Sequence, residues 1–244
     1  MKTITIKKGK DIFLKGLPQA RLEEAVFPER VAVKPTDFCG LKPRLLVKEG
    51  DVVKLGSPVI EDKIDSRIKI PSPVSGMVVA IRRGEKRILL EIVIQPDGRQ
   101  DAQQHTRFSP SQLSGLFRQQ IIDHLLDSGA WSFLRQRPFD HIADPSISPK
   151  AIFVKAIDTN PLSGNMDLML EGKEEDIRAG LGILSKMTDG PVYLCVSPKT
   201  HLSVLQESST AQVIAFAGPH PAGNVGTHIH YLSPLDKGER VWYL

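Results

Sequence analysis

Cysteine is nearly missing from this sequence, and its scarcity excludes a good deal. Cys39 and Cys195 are the only two, they lie far apart, and neither sits in a pairing motif. No disulfide framework, zinc site or iron–sulfur cluster can be assembled from them alone, and they read as small apolar residues in or near strands. Aromatics are also few, at 6% of 244 residues. The basic residues have little aromatic interleaving, unlike a stacking platform for nucleic acid. No apolar run approaches the ~20 residues that span a bilayer. The opening MKTITIKKGKDIFLKG lacks an apolar stretch of signal-peptide length. The chain is therefore expected to stay in the cytoplasm and to meet a membrane only through a partner.

Charge is present but lopsided. Residues 1–99 hold 20 Lys+Arg against 13 Asp+Glu, a balance of +7, whereas residues 100–244 hold 12 against 15, a balance of −3. The asymmetry implies two units with different surfaces. The basic one is suited to an anionic membrane surface, an acidic partner or plain solvent, with nucleic acid the weakest option.

The first ninety-odd residues predict an all-β domain. Short apolar runs (Leu45-Leu46-Val47, Val52-Val53, Pro58-Val59-Ile60, Ile68-Lys69-Ile70, 77–81 and 88–94) alternate with turn signals at Gly50, Gly56, Ser75-Gly76 and Gly84, the pattern of a small barrel or sandwich. Residues 96–110 are polar and read as a linker. A helix is then predicted, with Ser109 as N-cap, Pro110 at its first position and Gln112 closing a capping box. Leu113, Leu116, Phe117, Ile121, Ile122, Leu125 and Leu126 form its stripe, and Gly129 stops it. Beyond 150, strands at 151–157, 192–196 and 211–217 alternate with helices at 166–187 and near 199–206, which argues for a doubly wound parallel sheet. Gly172, Gly180 and Gly182 weaken the first of those helices. A last strand at 240–244 runs to Leu244, and the chain is expected to be truncated there, before further C-terminal domains. The expected division is 1–98 and 99–244.

Several constellations invite a chemical reading. Residues 47–56 (VKEGDVVKLG) and 70–78 (IPSPVSGMV) resemble the biotinyl and lipoyl barrel-sandwich domains, whose cofactor lysine sits at a hairpin tip. Superposing the two turns puts Asp65 at that position, with Lys63 and Lys69 out of place. An aspartate cannot form the amide, so a docking or structural copy is expected rather than a carrier. In the second half no GxGxxG or GxxxxGK[ST] occurs. The glycine-rich stretch 218–226 contains two prolines that lack N–H donors, and Thr227-His228-Ile229-His230-Tyr231 alternates like a strand, both counting against a phosphate loop. His228 and His230 would share one face of that strand, with His220 as a third ligand for a metal. With no carboxylate or cysteine beside them, histidines that bond to the loop or contact a partner are preferred. Asp158-Thr159-Asn160-Pro161 ends a strand at the ligand-binding edge of such sheets. Trp131, Phe133 and Phe139 around Arg135-Gln136-Arg137-Pro138 are either a surface patch or core. No nucleophile–base set or pair of catalytic carboxylates has recognisable spacing.

Taken with 7–16, 125–139 (LLDSGAWSFLRQRPF), 151–161 (AIFVKAIDTNP) and 215–230 (AFAGPHPAGNVGTHIH), these features resemble the A subunit of the bacterial sodium-translocating NADH:quinone oxidoreductases over essentially the whole chain. The resemblance implies an α+β multidomain protein. A biotinyl/lipoyl-like barrel-sandwich hybrid is followed by a Rossmann-like α/β domain related to the flavin subunit of respiratory complex I and to the electron-transfer subunit of the Rnf complex. In those relatives a glycine-rich loop and an acidic turn hold FMN and NADH. Here residues 129–138 and 158–161 stand in their places, with bulky Trp, Phe and Arg side chains expected to fill the space a phosphate would need. The implied function is that of a cofactor-free peripheral subunit of a sodium-transporting respiratory-chain complex that uses NADH, flavins, iron–sulfur centres and ubiquinone. Its expected place is the cytoplasmic face of the bacterial inner membrane, and its expected partners are the other subunits, with a role in assembly and in quinone interaction. No catalytic, cofactor-binding or metal residue is assigned. Trp131, Arg137, Phe139, His220, His228 and His230 are the candidate partner or quinone contacts. The alternative is an Rnf-type FMN- and NADH-binding electron-transfer subunit.

Overall fold

The computed structural model describes residues 1–12, 14–16 and 19–244, apart from the side chain of Pro110; Phe13, within the segment 7–16, lies outside the described residues. In chain order the strands are β1 (Lys2–Thr5), β2 (Val31–Val33), β3 (Pro43–Leu45), β4 (Val52–Val53), β5 (Pro58–Asp62), β6 (Lys69–Pro71), β7 (Gly76–Arg83), β8 (Leu89–Pro96), β9 (Arg135–Arg137), β10 (His141–Ile142), β11 (Ile152–Ala156), β12 (Val192–Val196), β13 (Gln212–Ala217) and β14 (Val241–Tyr243). The helices are α1 (Pro110–Gly115), α2 (Arg118–Asp127), α3 (Met166–Leu170), α4 (Glu174–Ser185), α5 (Ser203–Gln206) and α6 (Val225–Leu232). The chain forms two units. One comprises Ala25–Phe108 and Gln119–Asp144, the other Met1–Glu24, Ser109–Arg118 and Pro145–Leu244.

The first unit is built on two small antiparallel sheets, ordered β2-β8-β7-β4 and β3-β5-β6. Val59, Ile60, Ile70, Val78, Ile92 and Ile94 are sealed from solvent within it. The turn after β6 explains its sequence. Ser72 Oγ donates to the carbonyl of Val74 at 2.6 Å. Ser75 Oγ donates to Asp97 Oδ1 at 2.7 Å and accepts the Asp101 N–H. A Cβ on Gly76 would lie 2.1 Å from the carbonyl oxygen of Gln95, so no side chain fits there. The polar stretch expected as a linker is partly stitched down. The Leu55 N–H donates to Asp101 O and the Gln103 N–H to Leu55 O, at 2.9 and 2.7 Å. Such backbone pairing leaves no mark on composition. Asp65 lies in the connection between β5 and β6. The Arg67 guanidinium grips both of its oxygens, at 2.9 and 2.6 Å, and holds its carboxyl below the usual range.

In the second unit five strands run parallel in the order β1-β13-β12-β11-β14. Residues 1–24, grouped by sequence with the β-rich half, thus supply an edge strand here, with Ile4 level with Phe216. Phe153, Cys195, Phe216 and Val241 form the core against Val225 and Ile229 of α6. The capping box at Ser109 is present, but the predicted long helix is two, α1 and α2, because the chain is extended at Leu116. The predicted 166–187 helix likewise divides into α3 and α4 at Gly172, which takes φ 76°, a conformation that ends helices.

The strand expected at 227–231 is a helix. Val225, His228 and Ile229 are its buried residues and Leu232 packs beside them, a stripe at i, i+3, i+4 and i+7. The short alternation of Thr227-His228-Ile229-His230-Tyr231 concealed that period.

Candidate functional site

Doubly wound sheets bind ligands beyond the carboxyl ends of their strands. A cleft of about 510 Å³ opens there, lined by the ends of β11, β12 and β13 and the residues that follow them, among them Asp158, Asn165, Asp167, Lys199 and His201. Trp131, Phe133 and Arg137 are not in its lining. These side chains, expected to fill that space, belong to the barrel-containing unit. Trp131 is fully buried in the barrel-containing unit, where its indole N–H donates to Ala143 O at 2.7 Å.

The polar groups of the cleft are organised by local turns. Asp158 Oδ1 accepts from the Asn160 backbone N–H and side-chain amide at 2.8 and 2.7 Å, and Oδ2 accepts from Lys155 at 3.2 Å. Burial pushes this carboxyl up, but the Asn160 and Lys155 donors outweigh it and leave it below its ordinary range. Asp167 is buried and accepts Thr200 Oγ1–H at 2.6 Å and the His201 N–H at 2.8 Å, with the exposed His201 ring at 2.8 Å as well. Sequence reasoning missed this cluster, since no spacing links residues 34 apart in different loops.

The glycine-rich stretch does join a strand, β13, to a helix, α6, as a phosphate loop would. Four of its amides, however, are engaged within the protein. The His220 N–H donates to Asp11 Oδ1 at 2.8 Å and the Gly223 N–H to Thr159 Oγ1 at 2.9 Å. The N–H groups of Ala222 and Asn224 bond to the carbonyls of Pro219 and Pro221. Those four amides and the two prolines, which lack an N–H, offer a phosphate no donor.

The three candidate histidines do not converge. His220 rests its Nδ1 3.1 Å from Thr159 Oγ1. His228 is wholly buried, packed against Phe216 with ring centroids 4.2 Å apart and the rings tilted by 39°, and its Nε2–H donates to Ala222 O at 2.8 Å. Its Nδ1 has no partner, and burial pushes its pKa down to about 4, so it is a neutral core residue. His230 is exposed. Being two residues apart on a helix, His228 and His230 point to different faces, not one. No cluster able to hold a metal ion occurs among the described residues.

The remaining candidates meet in the barrel-containing unit. Strands β9 and β10 form a hairpin, His141 opposite Gln136, whose turn contains the cis Arg137–Pro138 bond and places Phe139 at φ 77°. Such a φ is unusual for a bulky side chain. It leaves Phe139 72% exposed, with its ring 6.0 Å from that of His141. Arg135 braces the turn through Asp140, at 3.0 Å, and Cys39 donates its thiol hydrogen to Phe139 O at 3.3 Å. Arg137 is half-buried, and Phe133 is exposed. The neighbourhood of Cys39 and Phe139 was not foreseen, being a contact across 100 residues of chain.

Fold and loops together define a two-domain chain with a barrel-sandwich hybrid and a doubly wound α/β sheet that carries a glycine-rich loop between β13 and α6. Comparison with known families agrees in both parts. Residues 4–97 match the NqrA N-terminal barrel-sandwich hybrid domain, and residues 116–244 match the NqrA second alpha/beta domain. The chain belongs to the NqrA family. It is 41% identical over 239 residues to the A subunit of the Na(+)-translocating NADH-quinone reductase of Alcanivorax borkumensis, covering 98% of this chain and 53% of that one. The subunit of the same name in Glaesserella parasuis is 39% identical over 99% of this chain and 54% of its own length. That of Tolumonas auensis is 40% identical over the same shares. The chain thus spans about half the length of the curated relatives it matches. Among the described residues, no helix is long and apolar enough to cross a membrane.

Proposed function

We propose that this chain forms the first two domains of the A subunit of a sodium-pumping NADH:quinone reductase, that it carries no redox cofactor itself, and that it serves assembly and quinone contact. The observation that carries this is the match of both domains, in order, to relatives bearing that name over 97–99% of the chain. The complex would oxidise NADH, reduce ubiquinone and move sodium. Its flavins and iron–sulfur centres would be held elsewhere, and this chain would lie at the cytoplasmic face of the membrane, held by the other subunits.

Two structural facts support the finer parts. The engaged amides of His220, Ala222, Gly223 and Asn224 count against the FMN-bearing, Rnf-type alternative, which an absorbance scan of the purified protein tests: a flavin band stoichiometric with protein would overturn the cofactor-free reading. For quinone, the Phe139 turn offers an exposed aromatic face beside His141 and the Cys39 thiol, a flat apolar surface with hydrogen-bonding groups at its edge. Cys195 is fully buried and its thiol is pushed well up by that burial, so alkylation of the folded chain reports Cys39 alone. A short-chain ubiquinone should slow alkylation of Cys39, and Phe139→Ala should abolish that protection. Equal rates with and without quinone would remove the assignment.

A further inference from the structure

The β7–β8 hairpin has a free outer end. Strand β4 pairs with β7 only at Gly76 and Met77, and β2 pairs with β8 only from Ile92 to Ile94. The Val78 backbone and the Ile81 N–H still bond to the 49–51 turn; further out the two strands face each other, Arg82 opposite Glu91 and Arg83 opposite Leu89. The tip turns through Lys86 and Arg87, both left-handed at φ 53° and 61°.

What the tip displays is specific. Arg82, Arg83, Lys86 and Arg87 are exposed, against the carboxylates of Glu85 and Glu91. Arg82 is paired with Glu91 at 2.8 Å. Arg83 donates to the backbone carbonyl of Arg87 at 3.1 Å, and among the described residues no carboxylate pairs with Arg83, Lys86 or Arg87. Between these cations stand two aliphatic side chains in water, Ile88 at 57% and Leu90 at 44% exposure. They are two residues apart and so share a face of the ribbon, while Leu89 between them is buried.

We infer that this hairpin tip is a contact for an anionic lipid surface. Aliphatic side chains flanked by long cations suit the boundary between acyl chains and headgroups: Ile88 and Leu90 enter the apolar layer, while Arg83, Lys86 and Arg87 lay their stems along it and hold their charges at the phosphates. A protein partner is the poorer fit. Stable protein interfaces need roughly 1,000 Å² or more and are anchored by buried aromatics, and this narrow ribbon end has no aromatic residue. Such a tip gives the chain a lipid contact of its own, beyond attachment through other subunits.

Vesicle co-sedimentation of the full chain tests it, using phosphatidylcholine vesicles with and without phosphatidylglycerol. The chain should bind only the anionic vesicles, and less as salt rises. The triple variant R83E/K86E/R87E should weaken binding by at least about tenfold. Ile88→Ser with Leu90→Ser should weaken it further at high salt, where the apolar part dominates. All five positions are exposed, so circular dichroism should be unchanged and loss of binding is not loss of fold. Equal binding to neutral vesicles, no binding to anionic ones, or an undiminished triple variant would each overturn the proposal. Salt-sensitive binding to polyglutamate without vesicle binding would also overturn it, in favour of an acidic protein partner.

Discussion

His228 shows how much one side chain can tie to pH. Its ring lies on Phe216 with no exposed surface, and only Nε2 finds a partner. The unfolded chain holds the His228 proton with the ordinary pKa of 6.5, the folded chain only near 4. Between those values the unfolded state binds more protons, so stability falls as pH drops through the window. The contribution is complete above about pH 6.5, and roughly 3 kcal/mol of it has gone by pH 4. Urea midpoints of the parent chain should decline across this range more steeply than those of His228→Phe, which keeps an aromatic ring against Phe216 and has no proton to take up. Parallel slopes for the two would mean that His228 is not buried as described.

At the scale of elements, three glycines in one predicted helix had three different fates. Gly172 adopts φ 76° and separates α3 from α4, whereas Gly180 and Gly182 lie inside α4 with nothing within 4 Å of where a Cβ would stand. Gly180→Ala and Gly182→Ala should therefore each raise stability by about 1 kcal/mol through helix propensity, while Gly172→Ala should lower it by about 1–2 kcal/mol by forcing a left-handed Cβ. Thermal unfolding of the three single variants checks the signs. The same contrast marks what could be read before folding. The Ser109 capping box, the strands β12 and β13 and the SPVSG turn are local features, written within a few residues, and they stand where expected. Sequence reading could not tell a helix-breaking glycine from a tolerated one, because backbone φ leaves no trace in composition. Nor could five residues of α6 reveal a period of 3.6. The sites were still less legible: Cys39 beside Phe139, Thr159 beside His220 and Asp167 beside Thr200 are contacts between distant loops, made only once the sheets bring those loops together.

At the scale of the whole molecule, the chain does not spend its residues in sequence order. Gly129 sits so close to Pro71 that a Cβ would lie 3.1 Å from the Pro71 ring, and the turn from Ala130 to Phe133 packs on β6. The barrel strands and residues 119–144 thus belong to one compact unit, with Trp131 fully enclosed. A polypeptide of residues 25–98 would lack the Asp101 and Gln103 stitches to Leu55 and all of this packing. Deleting a buried tryptophan side chain alone costs ~3–5 kcal/mol, against a total of ~5–15 kcal/mol for a typical domain. Residues 25–144 should therefore unfold cooperatively in urea, 25–98 should have a much lower midpoint or no transition, and Trp131→Ala within 25–144 should fall between them. If 25–98 matched 25–144 in midpoint, the strands of the barrel would be sufficient by themselves, and the segment carrying Trp131, Phe139 and the proposed quinone surface would be an attachment to that domain and not part of its core.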